Sequence, residues 1–207
     1  MLHKKFGQKI IFLLLLILAF QKHANAQLLD SLSLDTTHAY TSIEEAMKHP
    51  DQVKKLVLRR KHLETFPKEI FLMHNLQYLD LSKNKLTVIP PEIGQLTQLQ
   101  VLQLARNNID TIPPEIGKLT NLFWLNINQN GLYALPPEIG KLTKLRILDL
   151  WNNNLSVFPD QMIHLKHLKV LDLRVIIISD VNQKHIKKML PHTRIYFSPN
   201  CRCEESF

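Results

Sequence analysis

Four eleven-residue strings recur at an interval of 23 residues, and this repeat constrains the fold more than any other feature of the chain. They superimpose without a gap: LQYLDLSKNKL (76–86), LQVLQLARNNI (99–109), LFWLNINQNGL (122–132) and LRILDLWNNNL (145–155). The strings VKKLVLRRKHL (53–63) and LKVLDLRVIII (168–178) extend the pattern by one period at each end. A fixed period of this length predicts a solenoid in which each repeat is one structural unit.

The segments between these strings are almost identical to one another. They read PPEIGQLTQ, PPEIGKLTN and PPEIGKLTK. Together with the strings, they resemble the 23-residue "LPPEIGKLTNL" type of leucine-rich repeat, which is found in bacterial secreted proteins and in Ras-associated and plant intracellular scaffolds. The resemblance covers about residues 53–178. It implies an α/β leucine-rich repeat solenoid with a parallel β-sheet on its concave face and terminal caps. For function, it implies only a binding surface.

The first 26 residues have the order of a secretory signal peptide. Basic residues come first, an apolar run covers Ile10–Phe20, and Ala24-Asn25-Ala26 resembles a cleavage site. The apolar run of 11 residues is too short to cross a bilayer, which needs roughly 20. An uncleaved N-terminal anchor is the alternative. Cleavage would leave no transmembrane segment. The leader and the repeat style favour a bacterial protein exported to the periplasm, the cell surface or the medium.

The rest of the chain divides into three parts. We expect an N-terminal segment with a helical cap in 27–52, about six repeats in 53–178 with the last one degenerate, and a cap with a cysteine-containing tail in 179–207. A capping box from Ser42 to Glu45 predicts a helix that runs to about His49. Near the other end, the sequence favours a helix over 180–190 and a final strand over 194–197.

The charge of the chain argues against nucleic acid as a partner. The leader contains Lys4, Lys5, Lys9 and Lys22 and no acidic residue, so its removal lowers the formal net charge from +8 to +4. The remaining excess is small and dispersed along the chain. A nucleic-acid-binding protein would instead concentrate basic residues in a patch or stripe.

Alternation within each string predicts which side chains are buried. In the second repeat, Leu79 and Leu81 alternate with Tyr78, Asp80 and Ser82, so the leucines should point into the core and the others outward. In the four central repeats, one asparagine follows the strand, where the chain turns inward; Lys61 and Ile176 take its place in the first and last repeats. A buried carboxamide both donates and accepts hydrogen bonds, so it can satisfy backbone groups of neighbouring turns. We therefore predict a structural role for Asn84, Asn107, Asn130 and Asn153.

No catalytic pattern is found in the sequence. It has no glycine-rich phosphate loop, no H-E-x-x-H, no G-x-S-x-G and no paired-cysteine zinc spacing. His164 and His167 have a spacing that two metal ligands on one helix face could share, but solvated surface histidines explain them more simply. The sequence thus favours a protein that is not an enzyme and uses neither cofactor nor metal.

Two cysteines, Cys201 and Cys203, lie in the tail. In an oxidising compartment cysteines are usually paired. A disulfide between them would close a very small, strained loop that is easily reduced. Intermolecular pairing, half of a metal site and an inert pair of thiols are the alternatives.

The outward positions of the strands form columns across the repeats, and both tryptophans of the chain fall in them. An apolar ribbon is predicted along Tyr78, Val101, Trp124, Ile147 and Val170. Apolar surface with a polar rim is typical of binding sites, and Trp, Tyr and Arg dominate interface energies. The alternative is that these side chains simply cover neighbouring strands. We predict a concave binding face formed by Tyr78, Asp80, Arg106, Trp124, Asn126, Asp149, Trp151 and Arg174.

The sequence therefore leads to one functional hypothesis with alternatives. The hypothesis is a secreted, non-catalytic recognition module that binds a protein or peptide on the concave face. A glycan-binding protein of the cell envelope is the main alternative, because tryptophan rings flanked by Asp, Asn and Gln suit sugars. An enzyme and a purely structural or adhesive envelope element are the others. The oligomeric state does not follow from the sequence.

Overall fold

The computed structural model describes residues 28–198, which form one open sheet of seven parallel strands joined by short outer segments. The strands follow one another across the sheet in chain order: β1 Lys55–Val57, β2 Tyr78–Asp80, β3 Val101–Gln103, β4 Trp124–Asn126, β5 Ile147–Asp149, β6 Val170–Leu173 and β7 Arg194–Phe197. The predicted parallel solenoid is confirmed. Residues 1–27 and 199–207 are not described, so the predicted leader and the Cys201/Cys203 pair fall outside the structure.

The register of the sheet follows the 23-residue period of the sequence. Tyr78 pairs with Val101, and Val101 pairs with Trp124, so equivalent residues of successive repeats lie side by side. The leucines between them point into the core: Leu79 and Leu125 are completely buried. Each such side chain contributes about 1.5–3 kcal/mol to folding. Neighbouring repeats complete each other's core, so no repeat is independent.

The outer side of the solenoid consists of short 3₁₀ helices rather than α-helices. They span Pro50–Gln52, Lys68–Leu72, Pro91–Gln95, Pro114–Lys118, Pro137–Lys141 and Asp160–His164. In the three Pro-Pro-Glu-Ile-Gly repeats, the second proline opens the helix, where its fixed φ suits the first turn and its missing N–H is not needed. The isoleucine of each motif points inward and is fully buried, for example Ile116.

Close contact between successive outer segments explains the glycine in this motif. A Cβ atom on Gly117 would lie 2.9 Å from the carbonyl oxygen of Glu138 in the next repeat. A Cβ atom on Gly140 would meet the carbonyl oxygen of Gln161 at an even shorter distance. These glycines are thus required for space.

Side-chain amides link the turns that follow the strands. Asn130 Oδ1 accepts the N–H of Ile109 at 3.0 Å, and Asn130 Nδ2 donates to the carbonyls of Leu104 and Ile127, both at 3.0 Å. Corresponding bonds are made by Asn84, Asn107 and Asn153. Each asparagine therefore bonds both its own repeat and the preceding one, and satisfies backbone groups that the core hides from water.

The backbone at the residue before each of these positions is left-handed. These residues have φ between 52° and 60°: Arg60, Lys83, Arg106, Gln129, Asn152 and Val175. Only the last is β-branched, and for a β-branched residue this conformation is strained. Val175 precedes Ile176, which occupies the asparagine position in the degenerate sixth repeat.

The N-terminal edge of the sheet is covered by the residues before it. Tyr40 donates its N–H to Lys55 O at 3.0 Å and accepts the N–H of Val57 at 2.8 Å, so β1 does not present a free edge. Helix α2, Ile43–Ala46, follows, and the Ser42 hydroxyl accepts the Glu45 N–H as predicted.

The predicted extent of α2, to about His49, is wrong. The N–H groups of Lys48 and His49 bond three residues back rather than four, so the chain tightens into turns after Ala46. Pro50 then opens its own 3₁₀ helix. A proline disfavours the α conformation in the residue before it, and the φ of His49, −145°, lies outside the α region, so the helix does not extend to this residue.

An N-terminal strap, residues 28–36, was not predicted. It contains helix α1, Ser31–Thr36, whose Leu34 side chain is buried. The strap is fixed by two stacked glutamines of successive repeats. The Leu29 N–H donates to Gln77 Oε1 at 2.8 Å, and Leu29 O accepts from Gln100 Nε2 at 2.9 Å.

The C-terminal end has the predicted helix and strand. Helix α3 spans Asp180–Met189, and its N-cap is Ser179, whose hydroxyl accepts the Asn182 N–H. Strand β7 then adds to β6 in parallel. Within residues 28–198, none of the helices is long and apolar enough to cross a membrane.

The glycine contact generates a prediction about stability. Gly140→Ala should lower the free energy of unfolding by roughly 1–3 kcal/mol, because the new methyl group collides with the next repeat. Gly131→Ala is the matched control, since its Cβ would meet only Ile109 O at an ordinary 3.6 Å. Urea denaturation followed by circular dichroism measures both variants. Equal effects would contradict the packing explanation.

The strained backbone at Val175 generates a second prediction. Val175→Asn should raise the free energy of unfolding by about 1 kcal/mol, because asparagine adopts a positive φ more readily and already does so at Asn152. Val88→Asn, at a similarly exposed valine whose φ is not positive, should give no comparable gain. Chemical denaturation of both variants tests this. A loss of stability in Val175→Asn would show that the valine side chain makes a more important contact.

Candidate binding surface on the concave face

The side chains that point away from the core form three rows across the concave face. The first row contains Tyr78, Val101, Trp124, Ile147 and Val170, and the second contains Asp80, Gln103, Asn126, Asp149 and Asp172. The third contains Arg59, Ser82, Ala105, Asn128, Trp151 and Arg174, and is aligned by backbone hydrogen bonds beyond the assigned strands. All eight predicted binding residues lie in these rows or, for Arg106, directly after them.

The first row is less exposed than the ribbon we predicted. Val101 is only 2% exposed, and its neighbours Tyr78 and Trp124 are half-buried. Parallel strands lie about 4.8 Å apart, so large side chains in adjacent strands shield a small one between them. The expectation of a continuous exposed apolar ribbon is therefore wrong, and the row is partly a packing layer.

Tyr78 is also engaged by the N-terminal part of the chain. The Lys55 ammonium lies 4.9 Å from the centre of its ring and donates to the carbonyls of Leu34 and Asp35, both in helix α1 of the strap. Burial raises the pKa of the Tyr78 hydroxyl, and the charges of Asp80 and Asp35 raise it further. Lys55 and the strap thus cover one corner of the face.

Acidic and amide side chains of the second row stabilise the turns after the strands. Asp80 Oδ1 accepts the N–H of Ser82 at 2.8 Å, and Asp149 Oδ1 accepts that of Trp151 at 3.1 Å. Asn126 and Asp172 make the same bond two residues ahead. The carboxylates that we expected to orient a ligand therefore also have a structural role.

At the C-terminal end of the face, charges are paired. The Arg174 guanidinium contacts Asp172 through Nη2 at 2.6 Å and through Nε at 3.0 Å, and lies over the Tyr196 ring at 5.5 Å. The hydrogen bond and the negative charge of Asp172 raise the pKa of Arg174. Arg174, a predicted binding residue, thus already forms an ion pair within the fold.

A network of side-chain amides runs through the middle of the face; we call Gln103, Asn126 and Asn128 the amide floor. Asn126 Nδ2 donates to Gln103 Oε1 at 2.8 Å, and Asn128 Nδ2 donates to Asp149 Oδ2 at 2.7 Å. These bonds fix the orientation of the amides. As a result, Gln103 Nε2 and Asn128 Oδ1 are buried without a hydrogen-bond partner among the described residues.

The indole Nε1 of Trp124 is the third buried polar side-chain atom without a partner in residues 28–198, so all three lie on the concave face. An unsatisfied buried polar atom destabilises a fold by about 1–3 kcal/mol. Sequence reasoning did not select Gln103 and Asn128. The available signal was that amides replace the aspartates of the second row only in the third and fourth repeats.

Unpaired positive charge lies along one side of this floor. The basic rim consists of Arg59, Arg60, Lys83 and Arg106, and none of them forms an ion pair with a described acidic residue. Partial loss of hydration lowers the pKa of the Lys83 ammonium, and the charges of Arg60, Arg106 and Arg59 lower it further. Three of the four rim residues border a depression of about 330 Å³ whose other walls include Gln103 and Asn128.

Two other depressions occur on the surface of the described residues, outside the concave face. On the outer side, Phe66, Phe71 and Val88 line a groove of about 540 Å³ between the first two repeats. At the edge beside the strap, Phe123 and Arg146 line another depression. Residues 28–198 contain no group of three His, Cys, Asp or Glu side chains placed to hold a metal ion, and His164 and His167 lie exposed on the outer side.

Comparison with known proteins gives consistent matches. Residues 61–192 match a family model described as a leucine-rich repeat region. A leucine-rich repeat protein of Leptospira interrogans is 40% identical with a TM-score of 0.66, and the match covers 72% of this chain and 38% of that one. Internalin C2 of Listeria monocytogenes is 26% identical with a TM-score of 0.62, over 71% of this chain and 62% of that one. Among curated proteins, no sequence matches the chain.

One similar structure, from a plant, was solved as a complex with another molecule. The ectodomain of the membrane receptor kinase GASSHO1/SCHENGEN3 from Arabidopsis thaliana, solved with Casparian strip integrity factor 2, is 35% identical with a TM-score of 0.51. That match covers 59% of this chain and 15% of the receptor. The chain therefore spans less than two fifths of both the Leptospira protein and the plant receptor.

The half-buried Asp149 generates a pH prediction. Burial raises its pKa above the ordinary 3.8, and the hydrogen bonds from Asn128 and Trp151 only partly oppose this. The folded state therefore holds this proton more tightly than the unfolded state, and stability falls as pH rises from the unfolded pKa through the folded one. Asp149→Asn should remove this decline.

The free energy of unfolding should be measured for both proteins from about pH 3.5 to about pH 7. The free energy of unfolding of the variant, relative to that of the wild type, should increase across this pH window and then stay constant. An advantage that does not change with pH would show that ionisation of Asp149 is not disfavoured by the fold.

Proposed function

Since the chain belongs to the leucine-rich repeat family, we propose that it is an exported, non-catalytic recognition module that binds a protein or peptide on its concave face. The observation that carries the proposal is the position of the unsatisfied atoms. Gln103 Nε2, Trp124 Nε1 and Asn128 Oδ1 are the buried side-chain polar atoms without a partner among the described residues, and all three are on this face. A ligand that supplies their hydrogen bonds removes an existing penalty.

The tryptophans supply the apolar part of the site. Trp124 and Trp151 lie in neighbouring repeats and are half-buried, so their rings are held in place while part of each remains accessible. Aromatic side chains that are already ordered bind with a small loss of conformational entropy. Solved relatives in complex with a named factor, such as the plant receptor ectodomain, support this use of the fold.

Export rests on the sequence of residues 1–26, whose order of basic, apolar and small residues is that of a secretory leader. We place the mature protein in the periplasm, on the surface or in the medium of a bacterium. A glycan of the cell envelope is the alternative ligand, since amides and tryptophans on one face also suit sugar hydroxyls and rings. The binding experiment distinguishes the two ligand classes, because the chemical nature of the captured partner is determined.

The function is tested with residues 27–207 as bait on envelope material of the native organism. A captured partner is identified, purified and titrated against Trp124→Ala and Trp151→Ala. Each change should weaken binding by about 2 kcal/mol, because ordered aromatic anchors dominate interface energies. Tyr133→Ala is the matched control: this aromatic residue is 54% exposed, but lies outside the concave rows, so its loss should leave the affinity unchanged.

Circular dichroism and denaturation midpoints must be unchanged in the variants that are compared. Leu125→Ala, at a fully buried core leucine, shows what a folding defect looks like and should lose roughly 2–5 kcal/mol of stability. If Tyr133→Ala weakens binding and the tryptophan variants do not, the concave face is not the site. If the retained species is a glycan, the protein-binding proposal is replaced by its alternative.

A further inference from the structure

We propose that the concave face of the first four repeats binds an extended peptide segment with carboxylate side chains, which contact the basic rim while the peptide backbone contacts the amide floor. This inference rests on the proposed function and names the chemistry of its partner. Three observations support it: basic rim residues occur only in the first three repeats, they form no ion pair with a described acidic residue, and the amides of the floor are oriented with polar atoms left unpaired.

Basic residues at one position of the repeat are confined to the first half of the solenoid. At the position with positive φ, the first three repeats have Arg60, Lys83 and Arg106, whereas the next three have Gln129, Asn152 and Val175. The backbone conformation is the same at all six positions, and it does not require a basic side chain. The structure therefore gives no folding reason for the basic residues in the first three repeats.

The charges of the rim are also left without internal partners. Within residues 28–198, ion pairs join Lys85 to Glu64 at 3.6 Å and Arg174 to Asp172 at 2.6 Å, but none involves the rim. The nearest acid of the second row, Asp80, uses Oδ1 for the Ser82 N–H and is only 7% exposed. Partial loss of hydration lowers the pKa of Lys83, and repulsion by the other rim cations lowers it further; an external anion would oppose the second effect.

The amide floor adds a reason to prefer a peptide over a simple anion. Gln103 is only 7% exposed, and its Nε2 is an unused donor; Asn128 Oδ1 is an unused acceptor in the same depression. A peptide group offers one acceptor and one donor, and can satisfy both. The rim side chains line the same depression, and they can rotate to meet a ligand without breaking an ion pair.

The spacing of the repeats also suits an extended chain. Equivalent residues of adjacent repeats lie about 4.8 Å apart, so Lys83 and Arg106 present cations at short, regular intervals. Side chains on one side of an extended peptide recur about every 7 Å, which long basic side chains can reach. A peptide segment with an acidic residue at every second position can therefore place several carboxylates against the cations of the basic rim.

The probe is a short fluorescein-labelled peptide that alternates Ser and Glu, with a twin in which Gln replaces each Glu. Fluorescence anisotropy with residues 27–207 should show binding of the acidic peptide about tenfold tighter than its twin at about 0.03 M NaCl, and weaker binding at about 0.3 M NaCl. A hyaluronan oligosaccharide serves as an anionic glycan and should bind more weakly than the acidic peptide.

Two matched variants locate the site. Lys83→Gln/Arg106→Gln places in repeats two and three the residue type found at Gln129, and should weaken the acidic peptide about tenfold. Lys184→Gln/Lys188→Gln removes the same charge from exposed positions of α3 and should have no such effect.

A third variant tests the floor. Gln103→Glu keeps an oxygen for the Asn126 amide, and its row already contains Asp80 in the preceding repeat and Asp149 two repeats further along. It should weaken both peptides, because the Nε2 donor for the peptide backbone is lost, and it should weaken the acidic peptide about tenfold more than the twin, because the new carboxylate repels its Glu side chains.

The proposal is overturned if the two peptides bind alike or not at all, if the α3 variant loses as much affinity as the rim variant, or if hyaluronan is preferred. It is also overturned if Gln103→Glu binds the acidic peptide like the wild type. If a captured partner depends on Trp124 and Trp151 but is retained by Lys83→Gln/Arg106→Gln, the concave recognition function stands and this charge-based inference fails.

Discussion

One asparagine side chain in each of the four central repeats is the contact on which the rest of the solenoid depends. Its amide accepts an N–H from the preceding repeat and donates to carbonyls of both repeats, as Asn130 does for Ile109, Leu104 and Ile127. The turn after each strand would otherwise bury these backbone groups unpaired. The amide makes the inward turn possible, and the inward turn delivers the leucines to the core and the polar residues to the concave face.

The repeat made the scaffold predictable. The period of 23 residues is enough to align Tyr78, Val101 and Trp124, since equivalent residues of a solenoid must stack. Exposure within the rows could not be read in the same way, because it depends on the size of the neighbours: Val101 is buried between two aromatic residues. The strap was missed because its anchor at Leu29 is a backbone contact made by Gln77 and Gln100, and side-chain patterns do not reveal such contacts.

The candidate site was predicted in location and only partly in detail. The eight residues chosen from the sequence lie on the concave face, but Asp80, Asp149 and Arg174 also bond within the fold. The polar atoms that need a partner belong to Trp124, which was selected, and to Gln103 and Asn128, which were not. Hydrogen-bond satisfaction depends on the orientation of each amide, which in turn depends on its neighbours, so the sequence could not reveal it. At the C-terminal end of the face, the charged side chains thus bond to one another and stabilise the fold. In its N-terminal half and centre, the face has cations without an ion-pair partner and buried polar atoms without a hydrogen bond among the described residues.

The glycine of the outer segments also determines how strongly the solenoid curves. Packed α-helices lie 8–10 Å apart, roughly twice the spacing of parallel strands, so a helical outer side would bend the sheet sharply. Here, the backbones of successive 3₁₀ segments come into contact at Gly94, Gly117 and Gly140, and the outer spacing approaches that of the strands. The arc is therefore open, and the inner surface is a shallow trough rather than a deep cleft. An extended chain or a gently convex surface fits such a trough along its whole length, whereas a compact small molecule would touch only a small part of it.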